Sequence, residues 1–529
     1  MNDKNWTAEQ IDAFSKTGVN LLVAAGAGSG KTAVLIERII RHLTQGLSSE
    51  ALSADRLLVI TFTKAAAAEM KQRLASALQR ELTARPNDRH LQLQMALLPQ
   101  AAISNVHSFC LDLIRQHYYL LGLSADFRVA GELEQALLEQ DVLERFIEAE
   151  YEKEDPLLPA LADAYGGSRD DRGLLRLLHQ VYLFSRSQPQ PDKWLFEAGE
   201  SFCQGHTIDD YPWSAFLSCE IRREVGFALQ SLYSAYKLAH NDEDFASWSR
   251  QIQREIETIR ALKPDPKLSL WPRQLRMVEF FRLPAANRDA DPVLKERISK
   301  ERDGAKKRFK DLLSQFCRRL PETYARDLAG LAPLMSRFCQ LVKDYSTALE
   351  KEKRKRNILD FSDIEHFCLQ LLEDKKNGVA AALSERFHEV LVDEYQDING
   401  VQEKIIRFLS RGNNCFMVGD VKQSIYRFRL AEPQLFMEKF TIYGRGEGGS
   451  RVDLLKNFRS CRQIIDGINF IFRQLMSKEA GEIDYNEEAA LIAGREEEGE
   501  AIEVNLIDLS RRESAENESA EEEEEEISA

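Results

Sequence analysis

Asn20-Leu-Leu-Val-Ala-Ala-Gly-Ala-Gly-Ser-Gly-Lys-Thr32 decides the fold class. Its first six residues are a short apolar run of strand type. A glycine-rich turn, Ala25–Thr32, follows. Val34, Leu35, Ile39 and Ile40 then recur on one face of a helix. Strand, glycine-rich loop, Lys-Thr and helix in this order are the setting of a phosphate-binding loop. Glycines let successive main-chain N–H groups turn inward as a nest for phosphate oxygens, and the helix start adds the positive end of its dipole. Ala25 stands where the usual pattern has glycine. Gly26, Gly28 and Gly30 remain, with Ala27 and Ser29 between them, so the loop is still expected to form. Lys31 is expected to reach the β- and γ-phosphates of a nucleotide, and Thr32 to ligate Mg²⁺.

Working outward, Arg56-Leu-Leu-Val-Ile60 and Ile103–Val106 predict two more strands. Helices follow them, from Ala65 to about Arg80 and from about Ser108 to Tyr119. Such alternation means a parallel sheet with crossover helices. From about Ala130 to Arg356 strand signals fade. Amphipathic stretches replace them, as in Leu331, Leu334, Met335, Phe338, Leu341, Val342, Tyr345 and Leu349. Strands return at Glu389–Val392, Cys415–Asp420, Val452–Leu455 and Ala501–Leu509. The predicted fold is therefore α/β, a P-loop domain interrupted by a helical insertion.

Val392-Asp-Glu-Tyr-Gln-Asp397 closes one of the returning strands with adjacent carboxylates. Beside a phosphate loop, Asp393 suits an inner-shell Mg²⁺ ligand, and Glu394 suits the group that orients or deprotonates an attacking water.

The whole chain has 529 residues, 43% of them hydrophobic and 30% charged. That length suggests three or four domains with ample core material. No apolar run approaches the ~20 residues of a membrane span, and the N-terminus MNDKNWTAEQ has no apolar signal region. A cytoplasmic protein without a membrane association is expected. None of the eight cysteines forms a CxxC pair, which argues against zinc and iron–sulfur sites. The net charge of −15 is unevenly spread. Glu496–Ala529 holds 15 acidic and two basic side chains, leaving the rest near neutral. Residues 511–529, with the run Glu521–Glu526, read as a solvated acidic tail or linker.

Taken together, these residues resemble the UvrD-like superfamily 1 DNA helicases, in order and over most of the chain. Besides the phosphate loop and Asp393–Asp397, the matching segments are Trp6-Thr-Ala-Glu-Gln10, Thr61-Phe-Thr63, Ser104-Asn-Val-His-Ser-Phe109, Gly419-Asp-Val-Lys-Gln-Ser-Ile-Tyr-Arg-Phe-Arg429 and Asn457-Phe-Arg-Ser460. Val23–Val34, Leu359-Asp-Phe-Ser-Asp-Ile-Glu365 and Val418–Pro433 narrow the resemblance to the AddA family of helicase–nuclease subunits. The resemblance implies a RecA-like motor domain over 1–129 plus 357–445 and an inserted helical domain over 130–356. A second motor domain is then expected to begin over 446–510. It further implies ATP and Mg²⁺ as cofactors, DNA as single strand or duplex end, 3′→5′ polarity, an AddB-type partner protein, and a role in double-strand break repair and recombination.

Residue by residue, the resemblance gives Gln10 the adenine, Gln423 the γ-phosphate, and Arg459 a reach to the γ-phosphate from the second motor domain. Phe458 is placed to stack on adenine or to fill a core. Phe62, Thr63, Lys64, His107, Tyr426, Phe428 and Arg429 are placed on DNA. Aromatic faces stack unpaired bases without reading sequence, although Tyr426 and Phe428 at period two also suit a buried strand. Arg429 fits a DNA phosphate or an internal carboxylate equally. Lys64 and Ala65 depart from a frequent asparagine and lysine. The basic clusters Lys306-Lys-Arg308 and Lys353–Arg356 are interspersed with acids and read as solvated helix surface, with a duplex-facing patch as the alternative. After Ser460 no candidate appears for the family's two further motifs or for a nuclease domain. The reading is of the front half of such a protein; the alternative is an ATP- and DNA-binding switch that does not translocate.

Overall fold

The computed structural model describes residues 6–44, 52–167, 170–202, 207–263, 267–287, 290–477, 483–495, 497, 499–500 and 502–505. The chain divides into two compact units, residues 1–129 with 359–529, and residues 130–358.

The first unit is built on six strands: β1 (Leu21–Ala25), β2 (Leu57–Thr61), β3 (Ala102–Asn105), β4 (Glu389–Val392), β5 (Cys415–Gly419) and β6 (Ser450–Leu454). All pair in parallel, in the spatial order β3-β2-β4-β5-β1-β6. Val23 lies between Val418 and Val452, and Leu391 lies beside Phe416. Successive side chains of a strand point to opposite faces. So Leu21, Val23, Val59, Leu391, Phe416 and Val418 enter one core, with Val34, Leu35 and Ile39 of the helix Lys31–Thr44. Leu22, Leu58, Ile60, Val390, Val392 and Met417 enter the other, with Ile114 of Val106–His117 and Ile364 of Phe361–Glu373. Burial on both faces is why these strands read as unbroken apolar runs.

One boundary differs from the sequence reading, which ended the first sheet at 445 and gave Val452–Leu455 to a second domain. β6 instead lies beside β1, with Val452 and Leu454 in the core of Val23. Without it β1 would be an open edge directly before the glycine loop. The alternate residues Arg451 and Asp453 pair with each other at 2.9 Å. From Lys456 onward the chain forms a separate βαβ element. β7 (Lys456–Asn457) and β8 (Ile492–Ala493) pair in parallel, and the helix Arg462–Leu475 runs between them. Residues 502–505 of the strand expected at Ala501–Leu509 carry no strand; its other residues, and the acidic tail, lie outside the described residues.

The second unit has only helices and turns among its described residues up to 357. Its longest helix, Pro321–Lys355, buries Phe338, Leu341, Val342, Tyr345 and Leu349, the stripe that the three/four spacing predicts. Lys306, Lys307 and Arg308 are exposed, and Arg308 pairs with Glu224 at 2.6 Å. Lys353, by contrast, is buried. Among the described residues no helix is long and apolar enough to cross a membrane.

A buried ion pair ties the glycine-loop helix to the sheet. Arg38 Nε donates to Glu389 Oε1 at 2.8 Å, and His42 Nε2 lies 2.8 Å from Oε2. Burial pushes the Glu389 carboxyl up, but the Arg38 charge and His42 outweigh it and hold it down at about 2. Glu389→Gln leaves the Arg38 charge buried without its partner. The expected loss is roughly 3–5 kcal/mol in chemical denaturation at pH 7. Because the folded value lies below the ordinary 4.5, the charged carboxylate stabilises fully above that value. The gap between wild type and variant should therefore shrink as pH falls towards 2. A constant gap over that range would contradict the assignment.

Candidate active site

Every motif residue singled out in the first unit leaves the sheet at the carboxyl end of a strand. β1 runs into Gly26–Thr32, β2 into Phe62–Lys64, β3 into Val106 and His107, β4 into Asp393–Asp397, β5 into Asp420–Arg429, and β6 into Leu455–Arg459. Parallel α/β sheets bind ligands along this edge.

The glycine loop is asymmetric in its hydrogen bonds. All five of its carbonyls are taken. Gly26 O accepts from Ser29 N, and Gly30 O from Val34 N. Ala27 O accepts from Asn457 Nδ2 at 2.7 Å, Gly28 O from Phe458 N at 2.9 Å, and Ser29 O from Gln10 Nε2 at 3.0 Å. The N–H groups of Ala27, Gly28, Gly30, Lys31 and Thr32 have no partner among the described residues. Buried main-chain donors are seldom left unpaired. Carbonyls held outward and donors left over are what an anion nest requires. Gly28 and Gly30 sit at φ +69° and +88°, which only glycine adopts without cost. Ala25 ends β1 in ordinary strand conformation, so glycine is not needed there.

Lys31 reaches across to the carboxylates. Its Nζ lies 2.9 Å from Glu394 Oε2 and 3.5 Å from Gln423 Oε1. Glu394 is held in the left-handed region at φ +50° and also accepts from Gln396 Nε2 at 2.9 Å. Gln423 Nε2 donates to Asp420 Oδ2 at 2.7 Å. Burial, then the neighbouring Glu394 charge, raises both Asp393 and Asp397 to about 6, with Lys31 pulling the other way. Asp393 and the Thr32 hydroxyl are hard oxygen donors of the type Mg²⁺ takes alongside substrate phosphates. The Arg459 side chain is exposed, and its backbone packs against Gly28.

The aromatic candidates also converge. The rings of Phe62 and Tyr426 lie 4.5 Å apart, and those of Tyr426 and Phe428 5.8 Å apart. The Arg429 guanidinium lies 5.5–5.9 Å from all three. A buried strand does not describe them: Arg427–Arg429 is a short 3-10 turn, and Phe428 is 75% exposed. Thr63 spends its hydroxyl capping the helix Lys64–Ala84, accepting from Ala66 N at 3.0 Å. Lys64 is exposed at that helix start. His107 Nε2 lies 3.1 Å from Glu365 Oε1. Glu365 is buried, yet its carboxyl is held below the usual range, because His107, Gln402 and Asn399 outweigh the effect of burial.

The sequence model of the UvrD/REP helicase N-terminal domain matches residues 6–441. The chain belongs to this family. As a UvrD/REP-type chain, it is 41% identical over 510 residues to the ATP-dependent helicase/nuclease AddA of Desulforamulus reducens, covering 93% of this chain and 41% of that protein. It is 43% identical over 539 residues to the protein of the same name from Geobacillus kaustophilus, covering 98% and 43%. The chain thus spans less than half the length of these relatives.

Two residues with a part in this UvrD/REP-type site had no role in the sequence reading. Gln396 is buried, donates to Glu394 and Asp397, and accepts from Asp420 N. Asn457 is buried against the glycine loop. Both stand inside segments the sequence singled out, but an amide carries no pattern that separates a network member from a solvated neighbour.

Proposed function

We propose that this chain is the ATP-dependent motor portion of an AddA-type 3′→5′ DNA helicase that acts with an AddB-type partner at double-strand breaks. The observation that carries the reading is the glycine loop with every carbonyl bonded and five N–H groups unpaired, beside Lys31 and Glu394. Lys31 and the loop hold the β- and γ-phosphates, and Gln10 abuts the cavity for the base, which Phe458 also lines. Thr32 and Asp393 would hold Mg²⁺, whose chemistry is charge neutralisation on the phosphates. Glu394 takes the proton of the attacking water. Gln423 touches Lys31 at one end of a short segment whose other end carries Tyr426, Phe428 and Arg429. That segment therefore links phosphate occupancy to the aromatic cluster, where unpaired bases stack. His107, Phe62, Thr63 and Lys64 border the same strand ends and serve the DNA backbone and bases. Residues 130–356 act as the inserted helical domain, and 456 onward as the beginning of the second motor domain.

The test is ATP turnover with and without single-stranded DNA. Stimulation by DNA is expected; a folded protein that neither binds nor hydrolyses ATP overturns the reading. Phe428→Ala and Tyr426→Ala should each weaken single-strand binding by ~1–3 kcal/mol, equally on homopolymeric and mixed strands. Fluorescence anisotropy at fixed salt measures this, and wild-type affinity in both variants would remove the aromatic cluster from the DNA site.

A further inference from the structure

Asn457 is a single buried side chain that touches both halves of the nucleotide site. Its Nδ2 donates to the Ala27 carbonyl of the glycine loop at 2.7 Å. Its Oδ1 accepts from the main-chain N–H of Arg459 at 2.8 Å and of Ser460 at 2.9 Å. The amide cannot be turned around: one end faces a carbonyl and the other faces two donors. Its backbone belongs to β7, where its carbonyl accepts from Gly494 N at 2.8 Å. The approach is close. A Cβ added to Gly28 would stand 2.8 Å from both Asn457 amide atoms and from Arg459 Cβ. The next residue repeats the tie, because Phe458 N donates to Gly28 O.

These contacts have a consequence for the phosphate nest. The loop's N–H groups stay available only while its carbonyls are engaged elsewhere. Two of those carbonyls, Ala27 and Gly28, are engaged by residues that follow the sixth strand rather than by the loop's own strand or helix. We propose that Asn457 is a positioning residue that couples the phosphate nest to Arg459. Its donor half keeps the loop open to the β-phosphate, and its acceptor half sets the main chain that carries Arg459 towards the γ-phosphate. Movement of the segment beginning at β7 would then withdraw Arg459 and release the Ala27 and Gly28 carbonyls together. Phosphate affinity and arginine position are thereby tied to one displacement.

This inference rests on the ATP-site reading above, and the experiment separates the two. Mg-ADP and a Mg-bound non-hydrolysable ATP analogue are titrated against the wild-type chain, Asn457→Ser, Asn457→Ala, Arg459→Ala, Asn457→Ala/Arg459→Ala and Lys31→Ala, each checked for an unchanged thermal transition. A serine hydroxyl is neutral and still accepts from the N–H groups two and three residues on, but it is too short for Ala27. Asn457→Ser should therefore weaken ADP and the ATP analogue alike, by about fivefold, the scale of one net hydrogen bond. Asn457→Ala removes both halves and should weaken the analogue by a further severalfold while leaving ADP at the serine level. In the Arg459→Ala background that extra loss should vanish and the ADP loss should remain. Wild-type ADP affinity in both Asn457 variants, or an extra loss that persists without Arg459, overturns the inference. If Lys31→Ala also binds both nucleotides as the wild type does, the ATP-site reading itself fails.

Discussion

Lys31→Ala should bind Mg-ATP on the order of 10²-fold more weakly than the wild type and show no measurable turnover. Two charge-assisted hydrogen bonds, to the β- and γ-phosphates, are lost, each of about 1.5–3 kcal/mol. The variant should still fold, since neither core of the first unit uses the Lys31 side chain. It should nevertheless carry a pH signature. Without nucleotide, Lys31 is the cation facing Glu394, and it holds down Asp393 and Asp397, which burial and Glu394 raise to about 6. A carboxyl raised in the folded state opposes folding once it is ionised, so this cost is complete above about pH 6 and absent well below 3.8. Removing Lys31 enlarges it. The stability difference between wild type and Lys31→Ala should therefore be greater at pH 8 than at pH 5. Isothermal titration for binding and urea denaturation at the two pH values measure both effects. Unaltered nucleotide affinity in a folded variant would exclude Lys31 from the phosphate site.

Much of this site is legible in the sequence because its chemistry is local. Gly28, Gly30, Lys31 and Thr32 occupy one turn after one strand. Asp393 and Glu394 are adjacent. Strand–loop–helix context alone places both groups at the carboxyl edge of a parallel sheet. The strand ends shift by only a residue or so; β3, for example, covers Ala102–Asn105 rather than Ile103–Val106. What is not legible is long-range partnership. Nothing near Val452 reveals that it will lie beside Val23, 429 positions earlier. An alternating Val-Asp-Leu strand after a glycine-rich turn suits the end of one sheet as well as the start of another. Likewise, His107 and Glu365 carry no mutual signal. Their pairing depends on two helices that follow different strands and meet only once the sheet has formed. The amides Gln396 and Asn457 are harder still, because their roles are defined by main-chain atoms, which every residue possesses.

Glu394→Gln should separate binding from chemistry. The substitution keeps the shape of the side chain and the left-handed backbone at φ +50°. A glutamine carbonyl still accepts from Lys31 and from Gln396, which approach the same oxygen at 2.9 Å in the wild type. The charge is lost, and with it the only group in this network placed to take a proton from water while Asp393 serves the metal. Turnover should fall by ~10²-fold or more, the usual scale of general-base assistance. ATP affinity should be equal or higher, for two physical reasons. Lys31 leaves a neutral amide for the phosphates more readily than it leaves a carboxylate. One negative charge beside the incoming triphosphate is also gone. Asp393, relieved of that neighbour, should ionise at lower pH, because Glu394 is the second cause of its elevation after burial. Mg²⁺-dependent ATP binding in the variant should accordingly persist to lower pH than in the wild type. Steady-state turnover, equilibrium ATP binding and the pH profile of that binding together test the assignment. Wild-type turnover would remove Glu394 as the base, and a parallel loss of ATP affinity would show that its carboxylate supports binding rather than the attack of water.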